Sequence, residues 1–424
     1  MHLQTLTLTH FRAAQDLSLK LDRQLNILVG VNGAGKTTVL DAIALLLSWI
    51  PNRIQRSGAS GLTIAEDDIT LGQPFASLTA TLIDEHTHLE WRSSKSRKGR
   101  TASPSPSYLN QINTYTQNIQ HRITETNGNT NIPLFVYYPV DRAVTDIPLR
   151  VRNKPSFELM NAYDNALKGG SNFRAFFSWF REREDLENEA RRDLDRDSPS
   201  PSAHFPDPQL EAVRHALGQF LPEFEHLTVR RQPLRLEILK SGQALKINQL
   251  SDGEKCLLAL VADLARRLAI ANPLGNPLKG QGIILLDEID LHLHPQWQRL
   301  IISRLTTIFP NCQFIVSTHS PHVLTHVHPK NIFLLQSQNG QIQARQPSES
   351  YGKTVDRILE DLMELNTTRP EQVEADLQQI FDWLEANQLD AAKEAIRRIK
   401  QEIGEDPDLV KAEVLIRRKE IIGR

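Results

Sequence analysis

Residues 26–47 read "NILVGVNGAGKTTVLDAIALLL". The short apolar run over 26–29 stops at a glycine, so it reads as a buried strand. Residues 30–37 match the pattern G-x-x-x-x-G-K-[ST]. Leu40, Ile43, Ala44 and Leu47 then recur at helical spacing and predict an amphipathic helix. Strand, glycine loop and helix in this order make a phosphate cradle. The backbone N–H groups of Asn32, Gly33, Ala34, Gly35, Lys36, Thr37 and Thr38 gather at a helix start, whose partial positive charge suits an anion. Lys36 is expected to reach the β- and γ-phosphates of ATP, and Thr37 to ligate Mg²⁺.

Such a cradle needs an acidic partner. Residues 283–295, "IILLDEIDLHLHP", supply one. Four aliphatic residues predict a buried parallel strand that ends in Asp287 and Glu288. Asp287 is placed to hold the Mg²⁺ shell, and Glu288 to polarise a water toward the γ-phosphate. The pair His292 and His294 has two readings. One is a metal site, which two histidines without further ligands make poorly. The other is a loop shaped for a protein contact.

Bulk properties narrow the class. The chain has 424 residues, 40% of them hydrophobic, which is enough for two or three domains. Its net charge of −2 excludes a globally basic nucleic-acid binder, so any such surface is a local patch. Two cysteines, Cys256 and Cys312, make no disulfide framework and fit a reducing cytosol. The first residues alternate like a strand rather than a signal peptide, and "VLDAIALLLSWI" is too short to span a bilayer. A cytoplasmic protein without a membrane partner is expected.

Two further stretches set the subclass. "LSDGEK" (250–255) precedes a strongly periodic helix, with Ser251 as N-cap and Glu254 completing a capping box. The Ser251 hydroxyl, the Gly253 N–H and the helix dipole also suit an anion. "FIVSTHSPHVL" (314–324) is an apolar strand that ends at Thr318 and His319. The order phosphate loop, Ser-x-Gly-Glu, Asp-Glu, strand-His resembles the ABC-type ATPase heads of the SMC and RecF group. The resemblance implies that Ser251, Gly253 and Glu254 meet the γ-phosphate of ATP held by a second subunit. It implies that His319 is the switch histidine contacting the γ-phosphate, and that Asp290 lies in the loop crossing the dimer interface. It also implies a glutamine near the metal and the attacking water. Gln73 is the candidate, with Asp67 and Asp68 as competitors.

The fold implied is α/β: an ABC/SMC-type P-loop head with a mixed sheet, a short helical insertion and a C-terminal helical region. Five segments are expected. Residues 1–90 form the N-terminal lobe of the head. Residues 91–131 form a mobile polar and basic loop, in which Lys95, Arg97, Lys98 and Arg100 could touch phosphates. Residues 132–230 hold a strand, followed by Arg142, and the insertion, where Phe173, Phe176, Phe177 and Phe180 form an aromatic stripe suited to a core or a partner. Residues 231–340 form the C-terminal lobe. Residues 341–424 form four helices that offer a partner-binding surface.

"AEDDI", "YYPVDRAV", "FFSWFRERED", "LSDGEK" and "LLDEIDLHLHPQWQ" are similar to a group of standalone SMC-like ATPases. Its members include the ATPase subunits of Septu-type and retron-associated antiphage systems. That resemblance implies a homodimer or higher oligomer closed on ATP, an HNH nuclease as partner effector and, in retrons, a reverse transcriptase with its RNA–DNA product. Related nucleases append a Toprim domain with a D-x-D metal pair. Here Asp406-Pro-Asp408 reads as a helix cap instead, so a nuclease site is expected to come from a partner. The alternatives are a RecF-like clamp that binds DNA itself and the motor of an ABC transporter.

Overall fold

The computed structural model describes residues 1–85, 87–99, 106–140, 158–169, 173–194, 205–338, 340–365, 367 and 369–422. It divides into two compact units, Met1–Lys353 and Thr354–Arg424.

The strands of the first unit are β1 His2–Phe11, β2 Ala14–Lys20, β3 Leu25–Val29, β4 Phe75–Asp84, β5 Thr87–Ser96 and β6 Leu134–Tyr138. They continue with β7 Phe224–Arg231, β8 Leu234–Lys240, β9 Gln243–Lys246, β10 Gly282–Leu286, β11 Cys312–Thr318, β12 Ile332–Gln338 and β13 Gln341–Arg345. Its helices are α1 Lys36–Leu47, α2 Trp49–Gln55, α3 Asn110–Glu125, α4 Phe173–Leu194, α5 Pro208–Phe220, α6 Asp252–Ala271, α7 Pro295–Ile308 and α8 Pro321–Leu324. The second unit holds α9 Val355–Asp361, α10 Glu371–Glu385, α11 Leu389–Ile403 and α12 Pro407–Ile422.

The central sheet runs β13-β12-β3-β11-β10-β6. All its pairings are parallel except that of the edge strand β13. The sheet is therefore mixed and α/β, as the sequence implied. Every residue of β6, β10 and β11 is buried, which is why these strands read as continuous apolar runs rather than alternating ones. Register aligns their ends: Leu286 pairs with Val316 and with Tyr138, and Thr318 pairs with Val29. The residues that follow these strands thus emerge at one rim, where ligands of open parallel sheets bind.

An antiparallel sheet, β2-β1-β4-β5, covers the other side of α1. The Trp91 indole on β5 donates to the Leu46 carbonyl of α1 at 3.1 Å. Being packed between sheets, α1 buries Val39, Leu40, Ala42, Ile43, Ala44, Leu46 and Leu47, more than the single apolar face expected. The Gln313 amide joins the two sheets through the N–H and carbonyl of Leu3.

Three expectations change. The described residues of 91–131 are mostly strand and helix rather than a loop. β5 continues to Ser96, and α3 buries Ile112, Thr116 and Ile119. The polar composition misled because β5 needs only alternate residues inside, and Leu89, Trp91 and Ser93 serve. Arg97 is committed to the Ile69 and Gln73 carbonyls. Arg100 and Arg142 lie outside the described residues. Second, a small sheet β7-β8-β9 straddles the boundary expected at 230/231. Third, the C-terminal boundary falls after Lys353, because β13 completes the central sheet.

The aromatic stripe is core: Phe173, Phe176, Phe177 and Phe180 are all buried. In the second unit, α10, α11 and α12 pack on Leu377, Ile380, Leu384, Ile396, Ile399, Leu409 and Ile416. The Asp406 carboxylate caps the start of α12 by accepting the Asp408 N–H, and Arg369 bridges both acids. No described helix is long and apolar enough to cross a membrane.

Candidate functional site

The loop after β3 places Gly33 and Gly35 at φ of +82° and +98°, a region glycine enters without strain. At Gly35 a Cβ would also sit 2.1 Å from Ile342 Cδ1 on β13, so the position has no room for a side chain. The first turn of α1 has no capping side chain, and Asn32, Gly33 and Thr37 face solvent. Its N–H groups are thereby left for an anion. Lys36 is buried, and its ammonium donates to the carbonyls of Gly30 (2.8 Å) and Val31 (3.3 Å). Burial lowers the Lys36 pKa, and the charges of Asp287, Glu288 and Asp290 oppose that shift.

Across the rim, the Thr37 hydroxyl donates to Asp287 Oδ2 at 2.9 Å. Asp287 is buried, and its other oxygen accepts from the Ser317 hydroxyl. Ser317 Oγ also accepts the Glu288 N–H at 2.7 Å. One serine thus orients both acids. A hydroxyl and a carboxylate oxygen side by side are the hard oxygen donors Mg²⁺ prefers. The donor set fits that ion, and Thr37 and Asp287 are the side chains that would hold it.

Glu288 turns the chain at a positive φ of 47°, which carries the following loop back across the rim. Asp290 Oδ1 accepts the Thr318 hydroxyl (2.5 Å) and the His319 N–H (3.3 Å). His319 stands beside Lys36 and the three acids. Burial, then the Lys36 charge, lowers its pKa against the pull of Asp290, Glu288 and Asp287. That shift favours the neutral imidazole, which can donate one hydrogen bond but carries no charge. His319→Gln, which keeps a donor, is therefore expected to retain ATP turnover within a few-fold. His319→Ala should lose about 10–100-fold in kcat with KM little changed. Steady-state kinetics on the two variants checks this, and equal losses would mean the side chain acts through shape alone.

Lys36, Thr37, Asp287, Glu288, Asp290 and His319 therefore converge. Ser251, Gly253 and Glu254 lie at the start of α6. Ser251 caps α6 and its hydroxyl bonds Glu254 at 2.8 Å, and Glu254 also pairs with Lys240. Among the described residues no hydrogen bond joins these three to the phosphate loop or to Asp287. Gly253 does touch the rim: a Cβ there would lie 2.4 Å from the His292 carbonyl. His292 itself has a positive φ of 61°, and His294 caps α7 by accepting the Gln296 N–H. Both histidines shape the loop.

Gln73 lies in the turn before β4. Its N–H bonds the Thr70 carbonyl and its carbonyl accepts from Arg97, with no side-chain bond to Thr37 or Asp287 among the described residues. Of its competitors, Asp67 is exposed and Asp68 is paired with Arg12 at 2.9 Å. Sequence reasoning gave no role to Ser317 or to the Thr318 hydroxyl, which act only across neighbouring strands. It also missed Arg12, which bridges Asp68 and Asp41, and Tyr137, whose hydroxyl donates to Asp41 at 3.1 Å.

Residues 25–325 match the family described as "AAA domain, putative AbiEii toxin, Type IV TA system". The Retron Ec83 probable ATPase of Escherichia coli is 33% identical over 411 residues, covering 84% of this chain and 74% of the relative. The chain belongs to the retron ATPase family. The Retron Vc95 probable ATPase of Vibrio cholerae is 30% identical, covering 80% of this retron-type ATPase and 74% of the relative. The Septu protein PtuA of Bacillus thuringiensis is 34% identical over 157 residues, 35% of this chain and 40% of that one. Among solved structures, an SMC head bound to the C-winged helix domain of ScpA overlaps at a TM-score of 0.48 and 16% identity, covering 82% of this chain and 98% of that one. The retron-type ATPase thus joins a P-loop rim to the family whose members bear ATPase names.

Proposed function

We propose that this retron-type ATPase hydrolyses Mg²⁺-bound ATP at the Lys36–Asp287 rim and closes as a dimer on two ATP molecules. Closure switches a partner effector, an HNH-type nuclease, in antiphage defence. The observation that carries the dimer is that Ser251 is exposed at the start of α6 and bonds Glu254 rather than its own phosphate loop. An exposed helix N-terminus beside the rim loop, with no bond to its own phosphate loop among the described residues, suits the γ-phosphate of a second copy's ATP.

Each residue then has a task. The loop N–H groups and Lys36 hold the phosphates. Thr37 and Asp287 hold the Mg²⁺, which when bound offsets charge on the β- and γ-oxygens. Glu288 takes a proton from the attacking water, and His319 donates to the γ-phosphate. Ser251 and Gly253 of the partner copy complete the site. The second unit supports a protein partner. On α12 the residues Val410, Val414 and Ile421 are exposed, opposite the buried Leu409, Ala412 and Ile416. A helix apolar on two faces has one face left for another chain.

Sedimentation velocity tests the reading. ATP with Mg²⁺ should double the particle mass of the parent protein. Ser251→Arg should abolish doubling while each chain still binds ATP. Doubling that survives Ser251→Arg, or needs no nucleotide, would reject closure through the signature. Adding the effector to the same runs should shift the closed form alone.

A further inference from the structure

Tyr137 and Tyr138 close β6, and neighbouring strand residues point to opposite faces. Tyr137 reaches Asp41 of the phosphate-loop helix α1. Tyr138 reaches the other way, donating to Asp263 Oδ2 of α6 at 3.0 Å. α6 is the helix that begins at the signature, Ser251 to Gly253. The Tyr138 carbonyl also accepts the Asp287 N–H at 2.9 Å. Tyr138 is therefore bonded at once to the backbone of the acid at the rim and to the side chain of the signature helix.

The other end of this link is rigid. Asp263 is fully buried, with Arg267 Nε at 2.8 Å and Arg266 Nη2 at 2.7 Å. Burial alone would raise its pKa, but the two guanidinium groups outweigh it and hold the carboxylate charged. Arg267 further donates to the carbonyls of Ala162 (2.8 Å) and Asp164 (3.0 Å). The Ala166 carbonyl of the same segment accepts the Tyr137 N–H. Well-packed apolar residues commonly stabilise a core as well as a buried ion network does. What such a network adds is fixed direction, because each polar group has one satisfied arrangement.

We infer that Tyr138 and Asp263 are positioning residues for hydrolysis: they fix Asp287 relative to the signature helix, so that a load on Ser251 is felt at the metal-holding carboxylate. The inference rests on Asp287 being a Mg²⁺ ligand. Tyr138→Phe removes one hydroxyl and leaves Asp263 neutralised by two arginines, so the fold should survive.

The test compares the parent, Tyr138→Phe and Asp287→Asn. Mn²⁺ binding is read by electron paramagnetic resonance with a non-hydrolysable ATP analogue present, and metal-free ATP binding by a fluorescent analogue. Tyr138→Phe should weaken Mn²⁺ binding about tenfold, as loss of an outer support does. Metal-free ATP binding should stay within twofold and thermal unfolding should stay cooperative. Unchanged Mn²⁺ binding, or equal losses in both binding modes, would overturn the inference. Asp287→Asn separates the two levels. If it leaves Mn²⁺ binding intact, the magnesium reading fails and the inference with it. If it abolishes Mn²⁺ binding while Tyr138→Phe has no effect, only the positioning role fails. Should Tyr138→Phe not fold, the triple variant Asp263→Leu, Arg266→Met, Arg267→Met removes the same link with apolar packing and should show the same tenfold loss.

Discussion

Glu288→Gln is expected to slow ATP hydrolysis by about 10²–10⁴-fold while ATP affinity stays within a few-fold. The amide keeps the shape of the carboxylate but cannot take a proton from water. Its backbone is held independently, since the Glu288 N–H bonds Ser317 Oγ. The substitution therefore changes chemistry rather than placement. Asp287, the preceding residue, keeps its own bonds to Thr37 and Ser317. Single-turnover hydrolysis together with filter binding separates the two effects. The variant should also keep the ATP-closed dimer long enough to isolate it by gel filtration. A parental turnover rate would remove Glu288 from the base role and turn attention to a water held by other groups at the rim.

Lys36→Ala is expected to weaken ATP binding by at least about 100-fold, roughly 3 kcal/mol. The ammonium is buried and lies against the Gly30 and Val31 carbonyls, on the inner side of the loop. Nucleotide would replace those carbonyls with phosphate oxygens, a stronger charge-assisted contact. The same substitution removes two hydrogen bonds that pin the loop, so calorimetric binding should be paired with a melting curve. A loss of affinity with an unchanged melting temperature locates the effect in the phosphate contact. Parental affinity would overturn the cradle reading.

Both variants act on residues legible in the chain itself. The phosphate loop is legible because its chemistry is local: glycines, a lysine and a threonine act through one turn and the helix start that follows. Asp287 and His319 are legible for a related reason. Asp287 follows an aliphatic strand and His319 a largely apolar one, and in a parallel sheet buried on both faces such strands end at one rim. Ser317 was not legible. A serine inside "FIVSTHS" has no pattern of its own, and its role exists only because β10 and β11 are neighbours. Gln73 shows the converse. It has the residue type the family resemblance asks for, yet its bonds are those of a turn.

Composition was a poor guide where strands are exposed on one face. Residues 91–96 are polar enough to pass for a loop, but the antiparallel pairing with β4 needs only alternate side chains inside. The capping box at Ser251 illustrates a different gap. Local spacing predicted the cap, and the capped geometry is present. Local spacing could not tell whether that helix start meets its own phosphate loop or stands apart from it.

The sequence by itself determined the motifs: a strand, P-loop and helix of an α/β fold carrying a lysine and a threonine, two acids at one strand end, and a histidine at another. These follow from short-range patterns, since loop dihedrals, helix capping and strand burial are set within a few residues. Only the tertiary structure decided which groups hold one another. Ser317 orients both acids, Asp290 locks the His319 loop, Gly253 abuts His292, and Tyr138 spans from Asp287 to Asp263. Each of those contacts joins residues 29 or more positions apart. Their physical basis is strand adjacency and close packing, which no local pattern encodes.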